Sequence, residues 1–176
     1  MHEQSLVVIG AGALPELSMR EGVQSLAAAL GLPLQTVAAG ACADSVLDAL
    51  EGAPPALIRL AGDAGCLLPH RRSWLEALGA WRSPTLILGM PGADGLIPGV
   101  VPAFLALCKV HKVSLLGLAQ LGGPWTPADR RRDGLPWLGC LAPHAGQNAD
   151  VALDELSTLI RLRLAQLMVS GAREAS

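Results

Sequence analysis

The chain has 176 residues, 51% of them hydrophobic and 16% charged, with a formal net charge of −2. That length suits one domain with a single well-buried core, and the weak negative charge supplies no general drive toward nucleic acid. The apolar surplus fits a sheet buried on both faces or a membrane span, and a span is excluded. The longest nearly uncharged stretch, 83–108, holds Pro84, Pro91, Pro98 and Pro102 and is broken by Asp94, whereas a spanning helix needs about 20 predominantly apolar residues.

In chain order, the segment Met1-His-Glu-Gln-Ser5 shows no signal-peptide pattern, so a cytoplasmic location is expected. Strand one is predicted over 5–9, followed by a loop over 10–18 and a helix over about 19–30 that Gly31 closes. Strand two covers 34–38. Asp44 is the expected N-cap of a short helix over 45–50, ended by Gly52 and Pro54-Pro55. Strand three covers 56–60, and Gly62-Asp-Ala-Gly-Cys66 forms the next loop. Ser73 caps a helix over 73–81, and Pro84 opens strand four near 85–88.

The loop Gly89-Met-Pro-Gly-Ala-Asp-Gly95 leads to a helix over about 97–110, strand five covers 113–119, and a long polar loop covers 120–134. Strand six spans 136–141. The last helix, about 150–169, carries apolar residues at 153, 156, 160, 164 and 167, a stripe at helical spacing. Repeated strand–turn–helix units predict an α/β, doubly wound, mainly parallel sheet of about six strands with helices on both faces, of the P-loop or Rossmann-like class. One domain over 1–170 with a flexible tail over 171–176 is expected.

In that architecture ligands bind outside the carboxyl ends of the strands. The filter selects Asp63, Cys66 and His70 after strand three, Asp94 after strand four, Gln120 after strand five and His144 after strand six; Cys42 and Asp44 follow strand two. Gly10, Gly12 and Gly65 are the backbone positions where a ligand would approach closely. Asp63, His70 and His144 are the candidate acid–base groups, and a nucleophilic Cys66 beside His70 is a weaker option. The plainer reading sets Asp63 and Asp94 as turn formers, His70 and His144 on polar loops, and Arg130-Arg-Arg132 as a solvated cluster flanked by Asp129 and Asp133.

No Gly-x-Ser-x-Gly elbow is present, which disfavours a serine hydrolase. The four cysteines form no Cys-x-x-Cys pair, so no structural metal is expected, and none of the cofactor signatures is complete. Reduced thiols are the expectation.

Read from strand three onward, Leu60-Ala-Gly-Asp-Ala-Gly-Cys-Leu-Leu-Pro69 resembles the Glu-Gly-Ala-Gly-Gly-Leu-Leu-x-Pro segment of the dethiobiotin synthetase family. Ser83-Pro-Thr-Leu-Ile-Leu-Gly-Met-Pro-Gly-Ala-Asp-Gly-Leu-Ile97 is similar to that family's next strand and Gly-x-x-x-Gly-x-Ile-Asn-His helix start. Val113-Ser-Leu-Leu-Gly-Leu-Ala-Gln120 and Gly134-Leu-Pro-Trp-Leu-Gly-Cys-Leu-Ala-Pro143 continue the succession over 57–143, about half the chain.

The departures fall on function. Gly10-Ala-Gly-Ala-Leu-Pro-Glu-Leu-Ser18 lacks the Gly-Lys-Ser/Thr ending of a phosphate loop, and Pro15 stands where a dinucleotide fingerprint has its third glycine. The family's metal-binding Glu falls on Gly62, its Asn-His pair on Pro98-Gly99, and its base-contacting Asn on Gln120. Phosphoryl transfer needs a cradled triphosphate, a cation and a positioned lysine. The expected protein is therefore a degenerate relative without ATP-dependent catalysis, acting as a binding, regulatory or scaffold subunit. The alternative is a ligase- or transferase-like enzyme acting on a small carboxylate with strand-end groups.

The helix over 97–110 carries one apolar stripe at Ile97, Val101, Phe104 and Cys108 and a second at Val100, Ala103 and Leu107. One stripe covers a sheet, and the second calls for another neighbour. The resemblance places this helix at a subunit contact, so a homodimer is expected, with room for a protein partner but none for nucleic acid or membrane. The competing expectation is that the final helix or the tail covers the second stripe.

Overall fold

The computed structural model describes residues 4–38, 40–69, 72–141 and 147–174. Elements alternate strictly: β1 (Leu6–Gly10), α1 (Glu16–Leu30), β2 (Leu34–Ala38), α2 (Ala43–Leu50), β3 (Leu57–Ala61), α3 (Trp74–Ala80), β4 (Thr85–Gly89), α4 (Val100–Val110), β5 (Leu115–Leu121), α5 (Pro127–Arg132), β6 (Trp137–Leu141) and α6 (Gln147–Glu174). The six strands form one sheet in the order β2-β3-β1-β4-β5-β6, every pair parallel. The doubly wound α/β class is thus observed. Its order departs from the 3-2-1-4-5-6 of the dinucleotide-binding fold, because β3 lies beside β1 and β2 forms the edge.

Side chains alternate between two layers, as the pleat requires. Val7, Ile9, Ile58, Leu60, Ile87 and Leu118 pack under α2, α3 and α4, with Trp74, Leu75, Leu78, Phe104 and Cys108. Leu6, Val8, Leu57, Leu86, Leu88 and Leu121 pack under α1 and α6, with Met19, Val23, Leu26, Leu156 and Ile160. Burying each large aliphatic side chain contributes about 1.5–3 kcal/mol, so both layers supply stability. Among the described residues no helix is long and apolar enough to cross a membrane.

Two register shifts adjust β5 to its neighbours. One lies opposite Thr85/Leu86, beside Gly117 at φ 154°. The other lies between Leu118 and Ala119: Trp137 pairs with Leu118 and Gly139 with Ala119, leaving Leu138 as the extra residue of β6.

Element boundaries depart from expectation where local chemistry is specific. α1 begins at Glu16, three residues early, because Pro15 at its N-cap (φ −56°) preorganises the first turn and Glu16 suits its dipole. α4 begins at Val100 rather than Ile97, since Ile97 precedes Pro98 and such a residue is pushed out of the helical region. The polar stretch 120–134 contains the extra strand residues Gln120 and Leu121 and the helix α5, opened by Thr126-Pro127. α2 is capped by Cys42, not Asp44; the Asp44 carboxylate instead accepts from Trp81 Nε1 and Arg72 Nη1, each at 2.8 Å, and so ties α2 to α3. Ser73 caps α3 as expected, in a reciprocal capping box with Glu76. α6 opens at Gln147 and continues through Glu174.

Gly79 in α3 lies against the turn after α4, where an added Cβ would collide with the His111 carbonyl oxygen. Gly79→Ala is expected to cost about 1–3 kcal/mol by overpacking, which for this size lowers Tm by about 2–4 °C per kcal/mol. Gly99→Ala has open space around its Cβ and helical φ (−58°), and is expected to melt within about 2 °C of the wild type. Thermal melts followed by circular dichroism check both.

Candidate functional site

Because all strands are parallel, the loops after β1, β3, β4 and β5 share one edge of the sheet. The chain leaves β1 toward the α1 face and leaves β3 and β4 toward the opposite face, so the topological switch lies around β1. α4 draws the first two loops together. A Cβ on Gly12 (φ 79°) would lie 3.3 Å from Val100 Cγ2, and one on Gly65 would lie 3.2 Å from the Phe104 ring. The β1–α1 loop also folds onto itself. A Cβ on Gly10 would stand 2.8 Å from the Gly12 carbonyl oxygen, and the Ala11 N–H donates to the Leu88 carbonyl across the switch. Gly10, Gly12, Asp63 and Gly65 therefore form one patch.

The candidate acids in these loops are engaged locally. Asp63 Oδ1 accepts from the Gly65 N–H at 2.8 Å, and Asp94 Oδ1 accepts from the Leu96 N–H at 3.0 Å. Both are turn formers, the plainer of the two readings. His70 and His144 lie outside the described residues. Among the described residues no group of three or more His, Cys, Asp or Glu is gathered to hold a metal ion. Cys42 and Cys66 are exposed; hydrogen bonding from Ser45 holds the Cys42 thiol below its ordinary pKa, and burial pushes the Cys108 thiol up to about 11.

The first turn of α1, where this architecture would receive a phosphate, carries the chain's own anion. Glu16 pairs at 2.7 Å with Arg59 Nη2. Arg59 stands in the middle of β3, its side chain only 4% exposed, and its Nε also donates to Thr36 Oγ1 on β2 at 3.4 Å. The Arg59 hydrogen bond holds the Glu16 carboxyl below the usual range. Arg59 is not among the strand-end candidates, although a charge inside the apolar run Leu57-Ile-Arg-Leu60 marks it in the sequence.

A second patch lies at the ends of β4 and β5. Gln120 is fully buried, and its Nε2 donates to the carbonyls of Gly122 (2.7 Å) and Pro124 (3.1 Å). Arg130 of α5 was expected on a solvated loop and is 6% exposed instead. Its Nη1 bonds Asp133 at 2.7 Å, its Nη2 bonds the Gly95 carbonyl at 2.8 Å, and its guanidinium carbon sits 5.7 Å from the centre of the Trp137 ring. Trp125 meets Trp137 edge-on at 6.3 Å. The missed signals were Thr126-Pro127 as a helix start, Gly134 as its stop, and Arg130 and Asp133 three apart. Gln120 and Asp94, both candidates, thus border one patch, while Asp63 and the glycines border the other.

No protein-family profile matches the chain. No curated protein matches it either. Among solved structures it is similar to the crystal structure of a DUF1611 family protein from Anabaena variabilis, at 14% identity and a TM-score of 0.43, over 90% of this chain and 58% of that one. This chain therefore spans somewhat over half the length of that protein. The expected membership of the dethiobiotin synthetase family is not borne out, since neither a family profile nor a curated relative supports it. Its matching stretches are Gly-rich turns and prolines set around apolar strands, punctuation that any doubly wound sheet requires.

The Glu16–Arg59 pair sets an acid dependence. Its contribution is complete above the ordinary Glu pKa of about 4.3 and is lost as pH falls through the lowered folded value. Glu16→Gln is expected to cost about 1 kcal/mol at neutral pH, discounted because Glu16 is 58% exposed. The gap in Tm between variant and wild type should close on acidification below that value. A gap that holds constant in acid would reject the pairing.

Proposed function

We propose that this chain is a binding protein of the doubly wound α/β class rather than a nucleotide-hydrolysing enzyme: a receptor or subunit that holds a small molecule or a partner at the carboxyl edge of its sheet. The observation that carries this reading is Glu16. The helix start that would cradle a phosphate bears a carboxylate tied to a buried arginine, behind a loop, Ala11 to Pro15, without Lys, Ser or Thr. A second anion there meets the Glu16 carboxylate, and the cation at hand, Arg59, is already paired with it. The engagement of Asp63 and Asp94 in their own turns favours binding over strand-end catalysis. Four free cysteines accord with a reducing, cytoplasmic setting. The expected result is no measurable ATP or GTP hydrolysis and at best weak, magnesium-independent binding. Micromolar, magnesium-dependent ATP affinity by calorimetry would overturn the reading.

The binding role extends to a second copy of the chain. On α4, Val101, Phe104 and Cys108 are buried, while Val100 and Val110 stay 47% and 72% exposed and Leu107 37%, with Pro102, Ala103 and Ala106 exposed between them. α6 packs on the opposite face of the sheet and does not cover them. Small residues between the aliphatic ones let a symmetry-related helix approach closely, and an isologous pairing buries the same patch twice. Light scattering is expected to give a dimer mass for the wild type and a folded monomer for Leu107→Asp. A monomeric wild type at tens of micromolar would end this reading.

A further inference from the structure

Four buried side-chain nitrogen or oxygen atoms among the described residues have no hydrogen-bond partner: Arg59 Nη1, Gln120 Oε1, Arg130 Nε and Trp137 Nε1. Native interiors keep few such atoms, and three of the four belong to the patch at the ends of β4 and β5. Trp137 ties them together. Its ring reaches across β5 to Gly89, where a Cβ would stand 3.1 Å from Cη2, and Gly89 is the register partner of Gln120. Arg130 covers the same ring.

The chemistry of the three atoms is defined. Gln120 Nε2 faces two carbonyl oxygens, which fixes the amide orientation, since Oε1 in that place would meet only acceptors. The free atom is therefore an acceptor, and Arg130 Nε and Trp137 Nε1 are free N–H donors. The Arg130 charge is balanced within the patch by Asp133. A carboxylate would leave Gln120 Oε1 facing another acceptor, and a cation would meet two N–H donors. An uncharged group offering both a carbonyl oxygen and an N–H is the chemistry complementary to all three.

We propose that this patch is a binding site for a planar, uncharged amide, whether a carboxamide, a lactam or a ureido group. Its carbonyl oxygen accepts from Arg130 Nε and Trp137 Nε1, and its N–H donates to Gln120 Oε1. Trp125, which meets Trp137, and Gly95, whose carbonyl Arg130 holds, are partly exposed residues of the patch. The proposal rests on the binding-protein reading and gives that reading a ligand class.

Benzamide, benzoate and benzamidine share one shape and differ in charge, so ligand-observed NMR titration of the full chain with each tests the site. Benzamide is expected to bind, with the anion and the cation at least roughly tenfold weaker, the scale of one mismatched buried polar group. Trp137→Phe removes one donor and keeps the ring, and should weaken benzamide by a similar factor at an unchanged circular dichroism spectrum. Should that variant fail to fold, Arg130→Lys removes the other free donor and is read in the same way. Benzoate binding as tightly as benzamide would overturn the proposal in favour of an anion site. So would the absence of benzamide binding at tens of millimolar, which would leave the three atoms to water. Benzamide binding unchanged in a folded Trp137→Phe or Arg130→Lys protein would remove the site from this patch while leaving a small-molecule binder. Hydrolysis of ATP by a protein that binds benzamide selectively would remove the binding-protein reading and leave this site standing.

Discussion

The five residues of β1 and the five of β4 are all shut off from water, because α1 and α6 cover one side of the sheet and α2, α3 and α4 the other. Parallel strands in this position have no solvated face on which to keep a polar group. A charge or an amide among them must find partners inside the protein, since an unpaired buried polar group carries its whole desolvation cost. That constraint decides where chemistry resides in this molecule. It pushes turn acids and glycines out to the strand ends, and it makes each polar side chain left inside informative.

Arg59 and Gln120 are the two long polar side chains that the strands keep inside. Arg59 reaches Thr36 on the neighbouring strand and Glu16 on α1, and so couples the edge of the sheet to the helix start that a phosphate would otherwise occupy. Gln120 satisfies one end of its amide on the turn that follows it and leaves the other end open. Each thus keeps one buried atom without a partner, Arg59 Nη1 and Gln120 Oε1. At Arg59 the Glu16 carboxylate already meets the charge, whereas Gln120 shares its patch with two further open N–H donors, and the proposed amide site draws on that difference.

How much of this was legible beforehand depended on the range of the interactions. Short apolar runs with Gly and Pro between them announced six strands, because the pleat and the turns leave local marks, and Ser73 with Glu76 announced its cap. Asp44 was misread as a cap because its true partners, Arg72 and Trp81, are 28 and 37 residues away. For Arg130 the local marks, Asp133 three residues on and the helix bounds of α5, were there to read, but the contact that draws it inside, the Gly95 carbonyl, is 35 residues away. Gln120 was found as a strand-end residue, yet its open acceptor exists only once the turn through Gly122 and Pro124 has formed. The family resemblance failed because it was built on local punctuation alone.

The single extra residue in β6 has its own consequence. Leu138 and Gly139 both face the α6 layer, Gly139 within reach of Leu156, whereas Trp137 faces the α4 layer. The bulge thus resets the phase of the strand midway, so that its beginning furnishes one layer and its end, through Leu141, the other. Loss of one residue at this point would exchange inside for inside. Either the indole would turn toward α6 or Leu141 would turn away from it, with no change in hydrophobicity to betray the fault. In this part of the chain the number of residues, and not only their type, sets which layer each side chain joins.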